Sequence, residues 1–195
     1  MDMAEATAPP TRRLEILSAA AELFARRGYH GVSIGDLGRA VGLTGPALYR
    51  HFRGKEALLA EMLLDISERL LTEGGRRVEA AESPALALDA LLRWHIDFAL
   101  DNPALITVHV RELGNVPQPQ RREIRRLQRA YAEEWVKVLR VIHPDAADDR
   151  ARSATHAVFG LLNSTPHSTG DLSRDAMAGL LHAMASDALT GAFRS

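Results

Sequence analysis

Thr44-Gly45-Pro46-Ala47-Leu48-Tyr49-Arg50-His51-Phe52 is the stretch on which the reading of this chain turns. Thr44 can cap a helix and Pro46 suits a first helical turn. Leu48 and Phe52, four residues apart, fall on one face and are expected to point inward. Tyr49, Arg50 and His51 then point outward together. A solvated helix has no need of an aromatic-plus-basic cluster. A helix laid against phosphates does, because hydroxyl, imidazole and guanidinium groups all donate to phosphate oxygen.

The residues just upstream give this helix a companion. Ser33 with Asp36 three positions on is a capping-box-like pair, and Ile34, Leu37 and Val41 supply an inward face. Gly38 in the middle costs about 1 kcal/mol of helix propensity, which suggests a close crossing where no side chain fits. Gly42 ends this helix, Leu43 packs down and Thr44 opens the next. Two short helices about a three-residue, glycine-containing turn make a helix-turn-helix; an ordinary helical hairpin has the same spacing. Before them, a helix is expected from Thr11 to Arg27, with Leu14, Leu17, Ala20, Ala21 and Phe24 inward and Gly28 as its stop. Arg12 and Arg13 in its first turn oppose the helix dipole. A nearby phosphate or plain solvation would each account for them.

Composition limits the possibilities. The chain has 195 residues, 46% hydrophobic and 25% charged, with few β-branched residues, which favours helix throughout. No apolar run approaches the roughly 18 residues of a membrane span. Residues 1–10 lack an apolar stretch and are expected to be a disordered arm, not a signal peptide. There is no cysteine, which excludes disulfides, thiolate metal sites and cysteine nucleophiles and makes the cytoplasm the default compartment. Residues 1–55 hold eight Arg/Lys against five Asp/Glu, although the whole chain carries a net charge of −1. A basic head on an acidic body is expected where only one end meets a polyanion.

Gly28-Tyr29, Val32-Ser33-Ile34, Leu37, Gly42-Leu43-Thr44, Leu48-Tyr49-Arg50-His51-Phe52 and Lys55-Glu56-Ala57-Leu58 together resemble the DNA-binding domain of the tetracycline-repressor (TetR) family. The resemblance covers about residues 10–60. It implies an all-helical homodimeric transcription regulator, usually a repressor. It also implies that Tyr49, His51 and Lys55 grip phosphates, that Ser33 and Thr44 do so from helix N-termini, and that Thr44, Gly45, Pro46 and Ala47 lie near base edges. Gly45 departs from the family pattern, where a longer side chain is common, so base contacts lean on Thr44, Ala47 and Arg50.

The rest of the chain reads as five further helices after a linking one, about nine in all. The linking helix begins near Gly54 or Lys55, runs to about 69–73, and weakens at Gly74-Gly75. Those after it are expected over about 84–100, 103–114, 120–142, 146–164 and 172–193, with Pro117 and Pro119 marking a break. The expected organisation is an all-α chain: an arm over 1–10, a helix-turn-helix domain over 11–56, and a ligand-binding and dimerisation domain over 57–195. Both 146–164 and 172–193 carry small and apolar residues on more than one face, which suggests a four-helix seam between two subunits.

His95 and His109 fall on apolar stripes, where a histidine is a satisfied core residue, a polar anchor in a cavity or a metal ligand; no His/carboxylate pair at i,i+4 supports the metal. In the family the body commonly encloses a small-molecule cavity. The resemblance therefore makes Trp94, Phe98, His109, Tyr131, Trp135 and Phe159 candidate walls. Arg121, Arg122, Arg125, Arg126 and Arg129 form either a solvated face or the anchor for a phosphate-bearing ligand such as an acyl-coenzyme A. The polar run Asn163–Ser168 could reach the cavity or the seam. No cofactor is implied. An enzyme is disfavoured, since Ser, His and Asp residues share no catalytic spacing and there is no phosphate-loop glycine pattern. The alternatives to a repressor are an activator of the same family, or a helical ligand-binding module acting without DNA.

Overall fold

The computed structural model describes residues 12–167, 170 and 172–194; the expected arm over 1–10 lies outside the described residues, as do Thr11 and Ser168. Among the described residues there are nine α-helices and no strand. They are α1 (Arg12–Arg27), α2 (Ile34–Ala40), α3 (Gly45–Tyr49), α4 (Lys55–Glu79), α5 (Pro84–Asp101), α6 (Pro103–Arg111), α7 (Gln118–Ile142), α8 (Asp148–Leu162) and α9 (Arg174–Ala192). Short 3-10 turns follow α6 (Leu113–Asn115) and α8 (Thr165–His167).

Local chemistry sets most of the helix starts. The side chains of Ser33, Thr44, Ser83 and Ser173 accept from the backbone amide three residues on, at 3.1–3.3 Å. Pro84 and Pro103 occupy first turns, where a missing N–H costs nothing. Pro119 does the same in α7, so the helix starts earlier than the proline pair suggests.

Three ends differ from the sequence expectation for tertiary reasons. α4 continues through Gly74-Gly75 to Glu79. A Cβ on Gly74 would stand 2.7 Å from Cε2 of Tyr131 and 3.3 Å from Leu91, so this glycine marks a close crossing of α4 and α7. α6 stops at Arg111 because Glu112 leaves helical geometry and buries its carboxylate, accepting from the Tyr29 amide (3.3 Å) and from Asn115 Nδ2 (2.7 Å). α8 gives way at Asn163, whose side chain is drawn to His95.

One hydrophobic core runs without interruption from Ile16 in α1 to Leu189 in α9. α4 lies along both α5 and α7, while its first turn belongs to the head formed with α1–α3. The link is not α4 alone, since α1 also packs along α6. In α1 the inward residues are Ile16, Ala20, Ala21, Leu23 and Phe24; Leu14, expected inward, is half-exposed at 52%. Among the described residues no helix is long and apolar enough to cross a membrane.

Adjacent glycines in α4 give opposite expectations. Nothing lies within 4 Å of a Cβ on Gly75, so Gly75→Ala recovers helix propensity and stabilises by up to about 1 kcal/mol. Gly74→Ala overpacks against Tyr131 and destabilises by about 1–3 kcal/mol. Thermal unfolding should show the melting temperature rise for the first and fall for the second, at about 2–4 °C per kcal/mol.

Candidate functional site

The head is built around Leu48 and Phe52, buried as their spacing predicts. Gly38 lets the turn after α2 close, since a Cβ there would meet the Leu43 carbonyl oxygen at 2.6 Å. Gly42 takes a φ of 65° that other residues resist. The Leu43 amide donates to the Gly38 carbonyl at 2.8 Å. This fixes the angle at which α3 leaves α2.

Nine head residues were candidates for DNA contact, and they divide into two groups. Thr44, Pro46, Tyr49 and Arg50 are exposed; Gly45, Ala47 and His51 are half-buried. The side chains of Tyr49, Arg50 and His51 make no hydrogen bond or ion pair among the described residues, so their donors face outward unspent. A Cβ on Gly45 would meet nothing within 4 Å, so the start of α3 has room in front of it. Ser33 and Lys55 are engaged inside the head. The Ser33 hydroxyl donates to Asp36 Oδ2 at 2.6 Å. Lys55 Nζ donates to the carbonyls of Tyr29 and Val32, both at 3.0 Å, and sits 4.2 Å from the centre of the Tyr29 ring. Its ammonium therefore pins the α1–α2 connection.

The first-turn arginines are also accounted for within the protein. Arg12 bonds Glu15 at 2.5 Å and reaches the Val41 carbonyl. Arg13 pairs with Glu61, donates to the His51 carbonyl at 2.6 Å and lies 4.3 Å from the centre of the Phe52 ring. It ties α1 to both α4 and the end of α3. Glu15 is one turn from Arg12, whereas Val41, His51 and Glu61 are 29 or more positions away from the arginines they meet.

In the body a cavity of about 370 Å³ opens among α4–α8. His109, Tyr131 and Phe159 line it, as the sequence suggested. Trp94, Phe98 and Trp135 do not. Trp135 is fully buried behind Tyr131 and Phe159, edge-on to both. Trp94 pairs with Phe98 under the guanidinium of Arg77, 4.4 Å above its ring. α5 instead presents His95 to the cavity, one residue and about 100° around the helix from Trp94. Asn163, from the polar run read as reaching either the cavity or the seam, also lines it, as do Ser67, Gln128, Arg152 and His156, whose separate places along the chain left no local signal.

The cavity has an uncharged interior and a cationic rim. The rings of His95, Tyr131 and Phe159 form a triangle of nearly parallel planes, with His95 at centroid distances of 5.8 Å from Tyr131 and 4.9 Å from Phe159. Burial pushes it down to about 4, against the opposing pull of its bond to Asn163. Burial likewise pushes His109 down to about 4 and raises the Tyr131 phenol. Both imidazoles are thus neutral near pH 7. The arginines of the 121–129 cluster in α7 divide. Arg121 donates to the Gly114 carbonyl at 3.2 Å and Arg126 pairs with Glu123 at 2.6 Å. Arg125 and Arg129 line the cavity, are exposed, and have no ion-pair partner among the described residues. Arg152, also at the rim, is paired with Glu133. Among the described residues no group of three or more metal-ligating side chains comes together.

A helix-turn-helix head with unspent donors on its second helix, joined to an all-helical body with a cavity, is the architecture of a class of transcription regulator. Residues 16–62 match the family of bacterial regulatory proteins called tetR, and residues 81–189 match the tetracyclin repressor-like C-terminal domain. The chain belongs to the TetR family; it is a transcription regulator and not an enzyme. It is 28% identical over 134 residues to the HTH-type transcriptional repressor KstR2 of Mycolicibacterium smegmatis, covering 67% of this chain and 64% of that protein. A TetR-family regulator from Bordetella parapertussis 12822 superposes with a TM-score of 0.83 at 27% identity, over 92% of this chain and 96% of that one. AibR, solved with isovaleryl coenzyme A and operator DNA, shares the fold at a TM-score of 0.74 and 21% identity, over 89% and 97% of the two chains.

The capping box at α2 gives a pH-dependent expectation. The hydroxyl and amide of Ser33, with Arg39 alongside, hold the Asp36 carboxyl down to about 2. A depressed carboxylate contributes stability above its unfolded value, near 4, and loses it as pH falls toward 2. Asp36→Ala should therefore lower the melting temperature at pH 7, and the gap from the unaltered protein should close between about pH 4 and pH 2.

Proposed function

We propose that this regulator is a homodimeric repressor, acting in the cytoplasm, that leaves its operator when an anionic amphiphile such as an acyl-coenzyme A enters the body cavity. The observation that carries the effector class is the pairing of two unpartnered arginines, Arg125 and Arg129, with an uncharged aromatic interior. A guanidinium fork suits phosphate, and the neutral walls suit the chain or ring attached to it. A volume of about 370 Å³ takes the acyl end of such a molecule and leaves its nucleotide at the rim. AibR, solved with an acyl-coenzyme A and DNA, is consistent with this class.

Residues 11–56 act as the DNA-binding domain and 57–195 as the effector and dimer domain. Thr44, Tyr49, Arg50 and His51 meet phosphates and base edges, with Gly45, Pro46 and Ala47 at the groove, while Ser33 and Lys55 hold the framework. Dimer contact falls to α8 and α9, where Ala157, Gly160, Ala176 and Ala183 are exposed beside Leu180 and Met184, large apolar residues 45% and 47% exposed. Effector bound against α6 and α7 biases the head by two routes. One is α4, packed along α7; the other is α6, whose following Glu112 holds the Tyr29 amide.

Two experiments test the two ends. In a binding assay with duplexes selected by the protein, Tyr49→Phe combined with His51→Ala should weaken binding at least about tenfold with the fold unchanged, since each loses a phosphate donor. Arg50→Ala should reduce the dependence of log affinity on log salt by about 0.9 per subunit, or about 1.8 for the dimer. Absence of salt-dependent duplex binding in the unaltered protein would sink the regulator mechanism. By calorimetry, Arg125→Ala with Arg129→Ala should weaken octanoyl-coenzyme A binding at least about tenfold, the loss expected for two charge-assisted contacts. If the unaltered protein binds no acyl-coenzyme A, the effector class is wrong.

A further inference from the structure

Asn163 stands where α8 stops, half-buried, and lines the cavity. Its Oδ1 is 3.1 Å from His95 Nε2, and His95 Nδ1 is 3.2 Å from the Tyr131 hydroxyl. His95 is 2% exposed. A neutral imidazole carries one proton, and an amide oxygen only accepts. The proton therefore sits on Nε2 and is donated to Asn163, which makes Nδ1 the acceptor for the Tyr131 hydroxyl. With the amide oxygen on Nε2, the chain Tyr131–His95–Asn163 is satisfied throughout.

What remains is the Asn163 NH2 group. It makes no hydrogen bond to the described residues, neither to a carbonyl at the end of α8 nor to a side chain. Two residues on two other helices, both buried, orient a donor that the fold itself does not use. No free cation accompanies it in the buried part, since His95 and His109 are neutral, Arg125 and Arg129 lie at the exposed rim, and Arg152 is paired with the Glu133 carboxylate. A carboxylate buried beside it would lack a counter-charge, whereas a neutral carbonyl oxygen needs only a donor.

We infer that Asn163, positioned by His95 and Tyr131, is a specificity-determining donor for an uncharged carbonyl oxygen in the buried part of the effector. The inference rests on the effector class proposed above and narrows it: the acyl portion is an oxo-acyl group, not a plain hydrocarbon chain. A pocket that orients a donor discriminates against a ligand that leaves it unpaired.

The test is calorimetry with octanoyl-coenzyme A and its 3-oxo and 5-oxo analogues. The unaltered protein should bind at least one oxo analogue about tenfold more tightly than octanoyl-coenzyme A, the scale of one well-placed hydrogen bond. Asn163→Leu should erase that preference. Asn163→Asp, which keeps an oxygen for His95 but removes the amide protons, should erase it too, and circular dichroism confirms that each variant is folded. Arg125→Ala should weaken all three ligands alike. A thioester carbonyl is common to the three probes and cannot generate a preference among them. Equal binding, or a preference that survives in both Asn163 variants, overturns the inference while leaving the effector class standing. No binding of any of the three to the unaltered protein overturns the effector class and this inference with it.

Discussion

The Tyr131 ring lies against the bare Cα of Gly74, and the arrangement of the body depends on that contact. With no Cβ in the way, α4 and α7 approach closely enough to share one side of the cavity. The same tyrosine turns its hydroxyl to His95 and stacks on Phe159, nearly parallel, at 5.5 Å. A single side chain thus sets the spacing of two long helices and the orientation of the polar groups between α5 and α8. Since α4 begins in the head and ends in the body, the crossing also fixes where the head's last helix points.

Charge in the molecule is sorted by whether it has a partner. Arg12, Arg13 and Lys55 looked like phosphate ligands from their places at helix starts, where a cation is unfavourable. Each has acceptors within the protein: Glu15 one turn along α1 and the Val41 carbonyl for Arg12, Glu61 for Arg13, and the Tyr29 and Val32 carbonyls for Lys55. Tyr49, Arg50 and His51 on the outer face of α3, and Arg125 and Arg129 at the rim of the cavity, are among the groups left without such partners.

What was legible in the sequence follows the range of the interactions. Ser33, Thr44, Ser83 and their prolines act within one helical turn, so starts and turns could be read from local pattern. The head was legible for the same reason, its geometry being set by Gly38, Gly42, Leu48 and Phe52 within a short span. Gly74 read as a helix weakener because the ring that needs its missing side chain is 57 positions away in the chain. Lys55 has a four-carbon stem that reaches whichever acceptors the fold supplies, so its target was hidden. In α5 the apolar stripe included Trp94 and His95 together, and only the packing of α7 and α8 decides which of them meets the cavity. The sequence left Asn163 between the cavity and the seam, since the histidine that it meets in the cavity lies 68 residues earlier.

The unbroken core from α1 to α9 packs head and body directly against each other. On the proposed mechanism the coupling is thermodynamically reciprocal: whatever factor the effector takes from operator affinity, the operator takes from effector affinity. Protein scattered on random sites or free in solution would then sense lower effector concentrations than protein seated on its best operator. A cell with several operators of graded strength would release them in sequence, weakest first, from one sensor with one pocket.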